Sequence, residues 1–354
     1  MKKLRIGLVG AGNIANVHLN AYKKHDNAEI AAICDIDEKA LNKTADKYEI
    51  KERYTSIDEM LEKAELDAVD VCVWNNAHSE CAIKALNKGL DVMCEKPMAI
   101  SLAEAEKMYK AAKENNRLLM IGFVMRFGDG ARVAKDFIDN GYMGDIYYSK
   151  ATYLRRHGNP GGWFADVTRS GGGPVIDLGV HVIDYTRYLM GLPKPVSVYA
   201  ATFDKLSDRK NLKTLPGWVP EDRDPDAKCT VEDMATALIR YDNGAVTLLE
   251  TSYSLNCEPR TDIEIFGDKG GFKVEGDNMK IYTEINDYLA DVTPQLADLK
   301  DSADMFQAET AHFIDCALNK KKCIATAEDG LTVMKILDAI YKSAKTGHEV
   351  LIED

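Results

Sequence analysis

Three side chains in this sequence have the types and the spacing for proton chemistry on a hydroxyl group. Asp177 and His181 stand four positions apart in a segment with helical periodicity, so both are predicted to share one face of a helix. A histidine near its reference pKa of about 6.5 can accept a proton from an alcohol, and a neighbouring aspartate can orient it or bind a hydroxyl. From this spacing alone, a catalytic histidine and an ordinary core histidine are about equally well supported.

The third side chain is Lys96, in the tripeptide Glu95-Lys96-Pro97 that follows an apolar strand. Open α/β sheets bind ligands at the carboxyl ends of their strands, so a lysine there can reach a substrate oxygen. Pro97 restricts its own φ and biases Lys96 away from helical geometry, which would hold the ammonium at the mouth of a cleft. Taken alone, the tripeptide also fits a surface lysine before a loop proline.

A glycine-rich turn near the N-terminus indicates a bound dinucleotide. Gly10, Gly12 and Ala15 fit the pattern G-x-G-x-x-A between an apolar run and a helical pattern. In that pattern the first position allows a tight turn, the second lets the backbone approach pyrophosphate, and the third permits close helix packing. Asp35 follows twenty residues after Ala15, at the end of the next predicted strand, where it can bind ribose hydroxyls. The alternative is a flavodoxin-like or nucleotide-free domain whose glycines only turn the chain.

The carboxylate of Asp35 favours NAD over NADP. A 2′-phosphate on the ribose would be repelled by this group, and the neighbouring Ile36 supplies no cation to bind it. We therefore expect NAD as the cofactor and weaker binding of NADP.

The elements that must position these residues predict two domains of the α/β class. A chain of 354 residues is long enough for two stable cores. Through residue 122, apolar strands alternate with helical patterns, which predicts a Rossmann domain with six strands in a parallel sheet covered on both faces. We assign residues 1–124 to this dinucleotide-binding domain and residues 125–354 to an α+β domain for substrate binding and oligomerisation.

The second half of the chain has the pattern of a large, mostly antiparallel sheet. A long helix is predicted at 175–190, and six strands follow between residues 196 and 283 without intervening helices. Asp242-Asn243-Gly244 is a hairpin signal within this stretch. Residues 204–230 are predicted to form a long polar loop, and two helices close the pattern.

Composition excludes several classes of partner. The chain carries 45 Lys and Arg against 57 Asp and Glu, a net charge of −12 that would repel a nucleic-acid backbone. The N-terminal apolar run is too short for a signal-peptide core or a membrane span, and no other run approaches membrane length. Eight scattered cysteines without a CxxC pair are typical of reduced thiols. We therefore expect a cytoplasmic protein without nucleic-acid or membrane partners.

The sequence predicts no metal site. It contains no HExxH motif and no Cys/His cluster. His78 and His181 are too far apart in the chain for their spacing to indicate a shared ion.

Several motifs together resemble one family of enzymes. The glycine turn, Asn76-Ala77-His78, Glu95-Lys96-Pro97 and Asp177-x-Gly179-x-His181-x-x-Asp184 are similar to those of the Gfo/Idh/MocA family of nicotinamide-dependent oxidoreductases. The resemblance spans nearly the whole chain. It implies that Lys96, Asp177 and His181 form the catalytic set, with His181 as general base and Lys96 binding the reacting hydroxyl or the nicotinamide region. It also implies a homo-oligomer, a dimer or tetramer, built through the open C-terminal sheet.

The matching motifs also imply a set of cofactor contacts. These are Gly10, Gly12, Asn13, Ile14, Asp35, Asn76, His78, Glu95 and Lys96. One departure is Trp74-Asn75-Asn76, where many members carry Thr-Pro-Asn, so the local loop geometry is expected to differ.

Residues ahead of the predicted catalytic helix suit a sugar or polyol. Trp163 offers an apolar face to a pyranose, and nearby arginine and histidine side chains offer donors to hydroxyls or a carboxylate. The predicted substrate contacts are Arg126, Arg155, His157, Trp163, Asp177 and His181. The alternative is that several of these arginines only pair with surface acids.

These observations predict an NAD-dependent dehydrogenase that acts on a secondary hydroxyl of a sugar, sugar derivative or inositol-like cyclic polyol. A second hypothesis is a glycosidase that retains NAD and works by transient oxidation and elimination. A third is a non-catalytic protein that senses NAD or sugar, although Lys96, Asp177 and His181 favour an enzyme.

Overall fold

The alternation of apolar runs and helical patterns at the N-terminus folds into one parallel sheet. The structure is a computed structural model that describes residues 3–207, 209, 212–213, 220, 227–275, 278–295 and 304–353. The strands of the first sheet are β1 (Leu4–Val9), β2 (Ala28–Cys34), β3 (Glu52–Tyr54), β4 (Ala68–Val71), β5 (Asp91–Glu95) and β6 (Leu119–Gly122). Their order in space is β3-β2-β1-β4-β5-β6, and every neighbouring pair is parallel. This is the Rossmann order, so the predicted fold of this domain is confirmed.

Five helices alternate with these strands in the described part of the chain before residue 123. They are α1 (Asn13–Tyr22), α2 (Glu38–Tyr48), α3 (Ile57–Lys63), α4 (His78–Asn87) and α5 (Leu102–Glu114). Side-chain caps explain two of their starts. Asp37 accepts hydrogen bonds from the amides of Lys39 and Ala40, and Ser101 accepts one from the amide of Glu104, as its spacing predicts.

From residue 129 the chain builds the mostly antiparallel sheet that its pattern predicts. Its strands are β7 (Ile146–Leu154), β8 (Pro195–Phe203), β9 (Met234–Tyr241), β10 (Val246–Ser252), β11 (Arg260–Gly267), β12 (Gly270–Glu275), β13 (Asn278–Ile285), β14 (Tyr288–Val292) and β15 (Val350–Leu351). Their order is β14-β13-β12-β11-β7-β10-β9-β8-β15. The pair β7 and β10 is parallel, in contrast to the antiparallel pairs on either side of it.

The α-helices described after residue 128 are α6 (Asp129–Asp139), α7 (Val167–Ser170), α8 (Val180–Leu189), α9 (Met305–Asn319) and α10 (Ala327–Thr346). The helix predicted at 175–190 consists of two parts. Residues Val175–Gly179 form a π-helix, and the α-helix begins at Val180. A single π-helical turn is too short to be told from an α-helical turn by the spacing of apolar residues.

The helix α9 packs with the N-terminal sheet although it follows the C-terminal sheet in the chain. The compact N-terminal unit comprises the chain up to Gly128 together with α9 and the residues after it up to Leu331. His25 contacts this helix, with Nε2 lying 3.1 Å from both the Gln307 carbonyl oxygen and Thr310 Oγ1. The domain boundary between residues 124 and 125 stays a prediction. The packing adds α9 and the residues after it to the N-terminal unit.

The sequence predicts a long polar loop and no membrane-spanning segment. Much of the predicted polar loop at 204–230 lies outside the described residues. Among the residues that are described, the structure contains no helix that is both long and apolar enough to cross a membrane.

The turn after β1 requires glycine at its first position. Gly10 has a φ of 104°, and a Cβ atom added there would overlap the carbonyl oxygen of Cys72 after β4. Gly12 differs, because a Cβ atom added there would meet no described atom within 4 Å. The first glycine therefore permits the fold, and the second leaves open space beside the backbone.

We expect Gly10→Ala to lower the free energy of unfolding by more than about 1 kcal/mol, because alanine is strained at positive φ and has no room here. Urea denaturation measures the change. Gly12→Ala is the matched control and should stay within about 0.5 kcal/mol of wild type, since its site is open. Equal losses in both variants would contradict this account of the turn.

Candidate active site

The glycine turn leads directly into the N-terminus of α1. Gly12 is the N-cap residue, and Asn13 and Ile14 form the first turn of the helix. Backbone N–H groups at a helix N-terminus lack partners within the helix, and they bind phosphate together with the helix dipole. Gly12 and Asn13 are exposed. The open space at Gly12 therefore fits the close approach of a pyrophosphate.

Asp35 lies at the end of β2, beside this turn. One carboxylate oxygen accepts a hydrogen bond from the Ala11 amide at 2.7 Å, and the other accepts one from the Asp37 amide at 2.8 Å. Each oxygen retains a further lone pair, so the half-buried carboxylate can also accept from ribose hydroxyls. The next side chain, Ile36, is 83% exposed and apolar. The position after Asp35 therefore carries no positive charge.

The residues after β4 divide into an exposed group and a buried one. Asn76 is exposed on a 3-10 turn, Asn75–Ala77. His78 is 1% exposed, with Nδ1 2.8 Å from the Pro97 carbonyl oxygen and Nε2 3.1 Å from that of Val73. Burial lowers the pKa of His78 and so favours the neutral ring, which can donate a hydrogen bond to only one of these two carbonyl groups. The prediction that the His78 imidazole contacts the cofactor is corrected, because its edges face the protein.

Glu95 and Lys96 also differ in their surroundings. Glu95 is 7% exposed, and its Oε2 accepts a hydrogen bond from the Lys96 amide at 3.1 Å. Lys96 is half-buried and precedes a cis peptide bond to Pro97. The carboxylate of Glu95 points into the protein, so its predicted contact with the cofactor is corrected to a role in holding the backbone of Lys96.

A buried imidazole connects α1 to this lysine. His18 is completely buried, with Nδ1 2.8 Å from Asp70 Oδ2 on β4 and Nε2 3.0 Å from Glu95 Oε1 on β5. The Cys72 thiol donates to the other oxygen of Asp70 at 3.5 Å. Glu309 on α9 is also completely buried and faces the same group. Because each ring nitrogen faces a carboxylate, the geometry favours an imidazolium ion that donates from both.

The pKa shifts agree with this protonation. Burial disfavours the charged ring, but Cys72 and Asp70 beside it raise the pKa of His18 well above its ordinary value. Burial, followed by the charge of Glu95, raises the pKa of Glu309 well above its usual range. Burial thus favours the neutral form of Glu309, and the carboxylates beside His18 favour the charged form of its ring.

Asp177 lies in the π-helical turn, and His181 is the second residue of α8. The expected regular α-helical spacing between them is therefore corrected. The Asp177 carboxylate accepts a hydrogen bond from the hydroxyl of Tyr253 at 3.0 Å. Tyr253 is completely buried, and burial followed by Asp177 raises its pKa well above the ordinary value, so it remains a donor. Sequence reasoning missed this tyrosine, which no local motif marks.

The parallel pairing of β7 and β10 brings Arg155 and Tyr253 to the same edge of the sheet. Leu154 pairs with Ser252, so both strands end at the same edge of the sheet. The Arg155 amide donates to the Ser252 carbonyl at 2.9 Å, and the Gly158 amide donates to that of Tyr253 at 2.7 Å. The start of the loop that carries Arg155 and His157 is thereby held beside the tyrosine.

Arg155 carries positive charge at this edge. Its Nη2 lies 3.3 Å from the Tyr153 hydroxyl. Burial disfavours the charged guanidinium, but Tyr153 and Asp177 nearby raise the pKa of Arg155. His157 and Trp163 are half-buried, and the Trp163 ring stacks on Phe164 with a centroid separation of 3.9 Å. Arg155 is thus the predicted substrate residue with the clearest link to Asp177.

Glu232 supports the start of the π-helical turn. Its carboxylate accepts hydrogen bonds from the amides of Gly173 and Val175 at 3.0 and 3.1 Å, and from the Tyr341 hydroxyl at 2.8 Å. Side chains at Gly172 and Gly173 would collide with Tyr341 and with the Glu232 backbone. The glycine run before Asp177 therefore permits a close approach that fixes the turn.

Arg126 does not fit its predicted contact with substrate. Its side chain is fully buried, and Nη1 donates to the Ile324 carbonyl oxygen and to Asp329 Oδ2, the latter at 3.0 Å. The guanidinium neutralises a buried acid within the N-terminal unit. We correct the prediction accordingly, because a buried arginine with these partners is part of the core.

The statement that the sequence contains no Cys/His cluster is also corrected. His312, Cys316 and Cys323 bring one nitrogen and two sulfur atoms within 4.8 Å of one another. The spacing H-x₃-C-x₆-C was available in the sequence, although it matches none of the familiar zinc motifs.

Two family models match nearly the whole chain. The model described as an oxidoreductase family with an NAD-binding Rossmann fold matches residues 4–123, and that for the C-terminal alpha/beta domain of the same family matches residues 135–352.

The chain belongs to the Gfo/Idh/MocA oxidoreductase family.

The chain is similar to relatives and solved structures over nearly its full length. The chain is 33% identical to D-glucoside 3-dehydrogenase of Escherichia coli over 351 residues, which covers 98% of this chain and 97% of the relative. It is 26% identical to myo-inositol 2-dehydrogenase of Thermotoga maritima, covering 99% of each chain. The crystal structure of aldose-aldose oxidoreductase from Caulobacter crescentus superposes with a TM-score of 0.82 at 26% identity and covers 99% of this chain and 100% of the other.

The buried ring of His18 should make the stability of this Gfo/Idh/MocA protein depend on pH. A histidine whose pKa is raised by folding contributes stability that is complete below its unfolded pKa of about 6.5 and is lost as pH rises through the folded pKa. We therefore expect the difference in unfolding free energy between wild type and His18→Gln to be largest at acidic pH and to shrink above neutrality. Urea denaturation across the pH range measures it.

His25→Gln is the matched control for the loss of a contact, since His25 also contacts α9. Nitrogen-15 NMR of the labelled protein should find both ring nitrogens of His18 protonated at pH 7. A neutral His18 ring, or a stability difference that grows with pH, would disprove the imidazolium assignment.

Proposed function

We propose that the chain is an NAD-dependent dehydrogenase that oxidises a secondary hydroxyl of a sugar, sugar derivative or cyclic polyol. The observation that carries the proposal is the Asp177–Tyr253 hydrogen bond at the shared ends of β7 and β10, with the charged Arg155 beside it. It presents hydrogen-bonding groups suited to a polyhydroxylated substrate, in a chain 33% identical to a D-glucoside 3-dehydrogenase. D-Glucosides are therefore the first substrates to test.

In the proposed reaction, His181 takes the proton of the reacting hydroxyl as general base. When bound, NAD accepts the hydride from the carbon that carries this hydroxyl. Asp177, oriented by Tyr253, holds the histidine or binds a substrate hydroxyl. Lys96 binds the reacting oxygen or the nicotinamide region, and Glu95 holds the backbone of this lysine through the Lys96 amide.

The proposed substrate contacts are residues at, or in the loop after, the edge of the C-terminal sheet where β7 and β10 end. Arg155, His157 and Trp163 belong to the set together with Asp177 and His181, while Arg126 is left out because it is buried. An arginine suits sugar hydroxyls or a carboxylate, and an indole covers the apolar face of a pyranose.

The proposed cofactor contacts are Gly10, Gly12, Asn13, Ile14, Asp35, Asn76 and Lys96. They lie in the glycine turn, at the end of β2, after β4 and after β5. These positions belong to the carboxyl edge of the parallel sheet, where Rossmann domains bind dinucleotides.

We further propose a homo-oligomer formed through the open C-terminal sheet. Tyr199 on β8 and Leu238 on β9 are paired in register, and they are 54% and 45% exposed. Leu248 on β10 pairs with Leu238 and continues the apolar row. A second copy of the sheet would remove this row from water.

A cytoplasmic location remains a proposal that rests on cysteine chemistry. All eight cysteines are free thiols. Burial raises the pKa of Cys34 to about 12 and raises the pKa of Cys94 well above its ordinary value. Such thiols behave as small core residues in a reducing compartment.

The choice of cofactor depends on Asp35. We expect wild type to bind NAD more tightly than NADP, because the carboxylate accepts ribose hydroxyls and repels a 2′-phosphate. Asp35→Asn should weaken NAD binding and reduce the preference, as measured by calorimetric titration with each cofactor. Asp37→Asn is the matched control, since Asp37 caps α2 through the Lys39 and Ala40 amides. Tighter NADP binding by wild type would refute the assignment.

The roles of Lys96 and His181 predict a separation of turnover from cofactor binding. Lys96→Ala and His181→Ala should each lower kcat by about 10²- to 10⁴-fold, because general acid–base groups contribute that much. NAD binding should stay near normal in His181→Ala, because His181 is not among the proposed cofactor contacts. Lys88→Ala and His348→Ala remove exposed side chains of the same types and should retain full turnover. Wild-type rates in the first two variants would exclude the proposed roles.

The substrate screen should include glucosides, aldoses, uronic acids and cyclic polyols, with NADH and released aglycone measured together. Production of NADH without aglycone is the expected result. Aglycone release without net NADH would favour the NAD-retaining glycosidase. Tight NAD binding without turnover on any compound would favour the sensing protein.

A further inference from the structure

The segment after α9 brings a cysteine back towards the helix. His312 and Cys316 lie one turn apart on α9, with His312 Nε2 3.3 Å from Cys316 Sγ. Cys323 follows the end of the helix, and its sulfur lies within 4.8 Å of both other atoms. The three residues, which we name the imidazole–thiol cluster, all belong to the N-terminal unit.

We propose that the imidazole–thiol cluster of His312, Cys316 and Cys323 binds a thiophilic divalent cation, Zn²⁺ above all. Two thiolates and one imidazole are a preferred ligand set of Zn²⁺, and their two negative charges balance the ion. With metal–sulfur and metal–nitrogen bonds of about 2.3 and 2.0 Å, ligand atoms of a tetrahedral site lie about 3.5 to 3.8 Å apart. The observed separations need only small side-chain movements to reach this geometry.

The backbone around Cys323 is held in place by the sheet. Ala325 accepts a hydrogen bond from the Ile121 amide at 3.0 Å, and Thr326 forms a bridge with Met120 of β6. The Ala325 amide in turn donates to the Cys323 sulfur. The backbone that carries Cys323 is therefore anchored to β6.

The second anchor of the cluster is the packed ring of His312. This ring is 8% exposed and lies 5.4 Å from the Phe127 ring, centroid to centroid. Its Nε2 accepts a hydrogen bond from the Ile324 amide at 3.1 Å. In this contact Nε2 is the acceptor, as a metal ligand must be. A cation would replace the amide as its partner.

Access and the remaining coordination position come from the Cys323 side. Cys316 is 4% exposed, whereas Cys323 is half-buried. Three protein ligands leave one position of a tetrahedral ion for water. The cluster uses none of the residues proposed for catalysis or cofactor binding, so the inference is independent of the proposed function.

Cobalt is the probe that tests the cluster directly. The full-length protein is treated with EDTA, reduced with a phosphine under nitrogen, and titrated with Co²⁺. We expect one ion per chain, with the thiolate-to-cobalt absorption and the strong visible bands of a tetrahedral site, and displacement by Zn²⁺. Cys316→Ser and Cys323→Ser should each weaken binding by more than the ~100-fold that a lost outer-shell partner costs.

Cys257→Ser is the matched control, because Cys257 is the other half-buried free cysteine and lies in the C-terminal unit. It should bind Co²⁺ like wild type. The absence of thiolate-to-cobalt absorption in wild type, or its persistence in Cys323→Ser, would overturn the proposal.

Alkylation of the wild-type protein keeps the test valid if a variant fails to fold. Zn²⁺ should slow the reaction of iodoacetamide with Cys323 by at least tenfold and leave the rate at Cys257 unchanged, as read by peptide mass spectrometry. Equal rates at Cys323 with and without Zn²⁺ would overturn the proposal. A Cys316–Cys323 disulfide that resists the phosphine would do so as well. Cys323→Ser should retain wild-type NAD affinity, as expected for a site apart from the cofactor.

Discussion

The N-terminal unit depends on one buried cation placed between two carboxylates. His18 belongs to the helix that begins at the glycine turn, Asp70 to a strand beside that turn, and Glu95 to the strand that leads into Lys96. Buried charges are tolerated only when paired, so the three elements cannot shift separately without exposing one group to an apolar interior. One imidazole ring therefore connects the start of the cofactor helix to the backbone of the lysine.

The C-terminal unit uses a different device for the same purpose. In a sheet that is otherwise antiparallel, the parallel pair of β7 and β10 brings two strand ends to one edge. Tyr253 follows β10 and Arg155 follows β7. Asp177 accepts a hydrogen bond from Tyr253, and its charge helps to raise the pKa of Arg155. The π-helical turn that carries Asp177 is itself supported by Glu232 at backbone amides that lack helical partners.

The features that sequence revealed are local ones. The glycine turn, the strand and helix alternation, and Asp35 at a strand end all follow from spacing within about twenty residues. Tyr253 could not be found in this way, because its partner Asp177 is 76 positions away and meets it only through strand pairing. The packing of α9 against the first sheet was equally hidden, since a helical pattern does not name the sheet that it covers.

Residue type also proved easier to predict than side-chain direction. His78, Glu95 and Arg126 have the chemistry of ligands, yet each directs its polar atoms to partners inside the protein. In the imidazole–thiol cluster, by contrast, the three residues lie within twelve positions of one another in the sequence. They were missed because the order of His and Cys matches no familiar zinc motif.

The loop that follows β7 is tied to the sheet at its first residues, through the Arg155 and Gly158 amides. Asp177 accepts a hydrogen bond from Tyr253, which follows β10, and Glu232 accepts from the amides of Gly173 and Val175 at the start of the π-helical turn. Substitutions beyond Gly158 can thus change this loop while Asp177 and Tyr253 keep their positions. The loop and the Asp177–Tyr253 pair are therefore separable, because the sequence of one can vary without removing the hydrogen bond of the other.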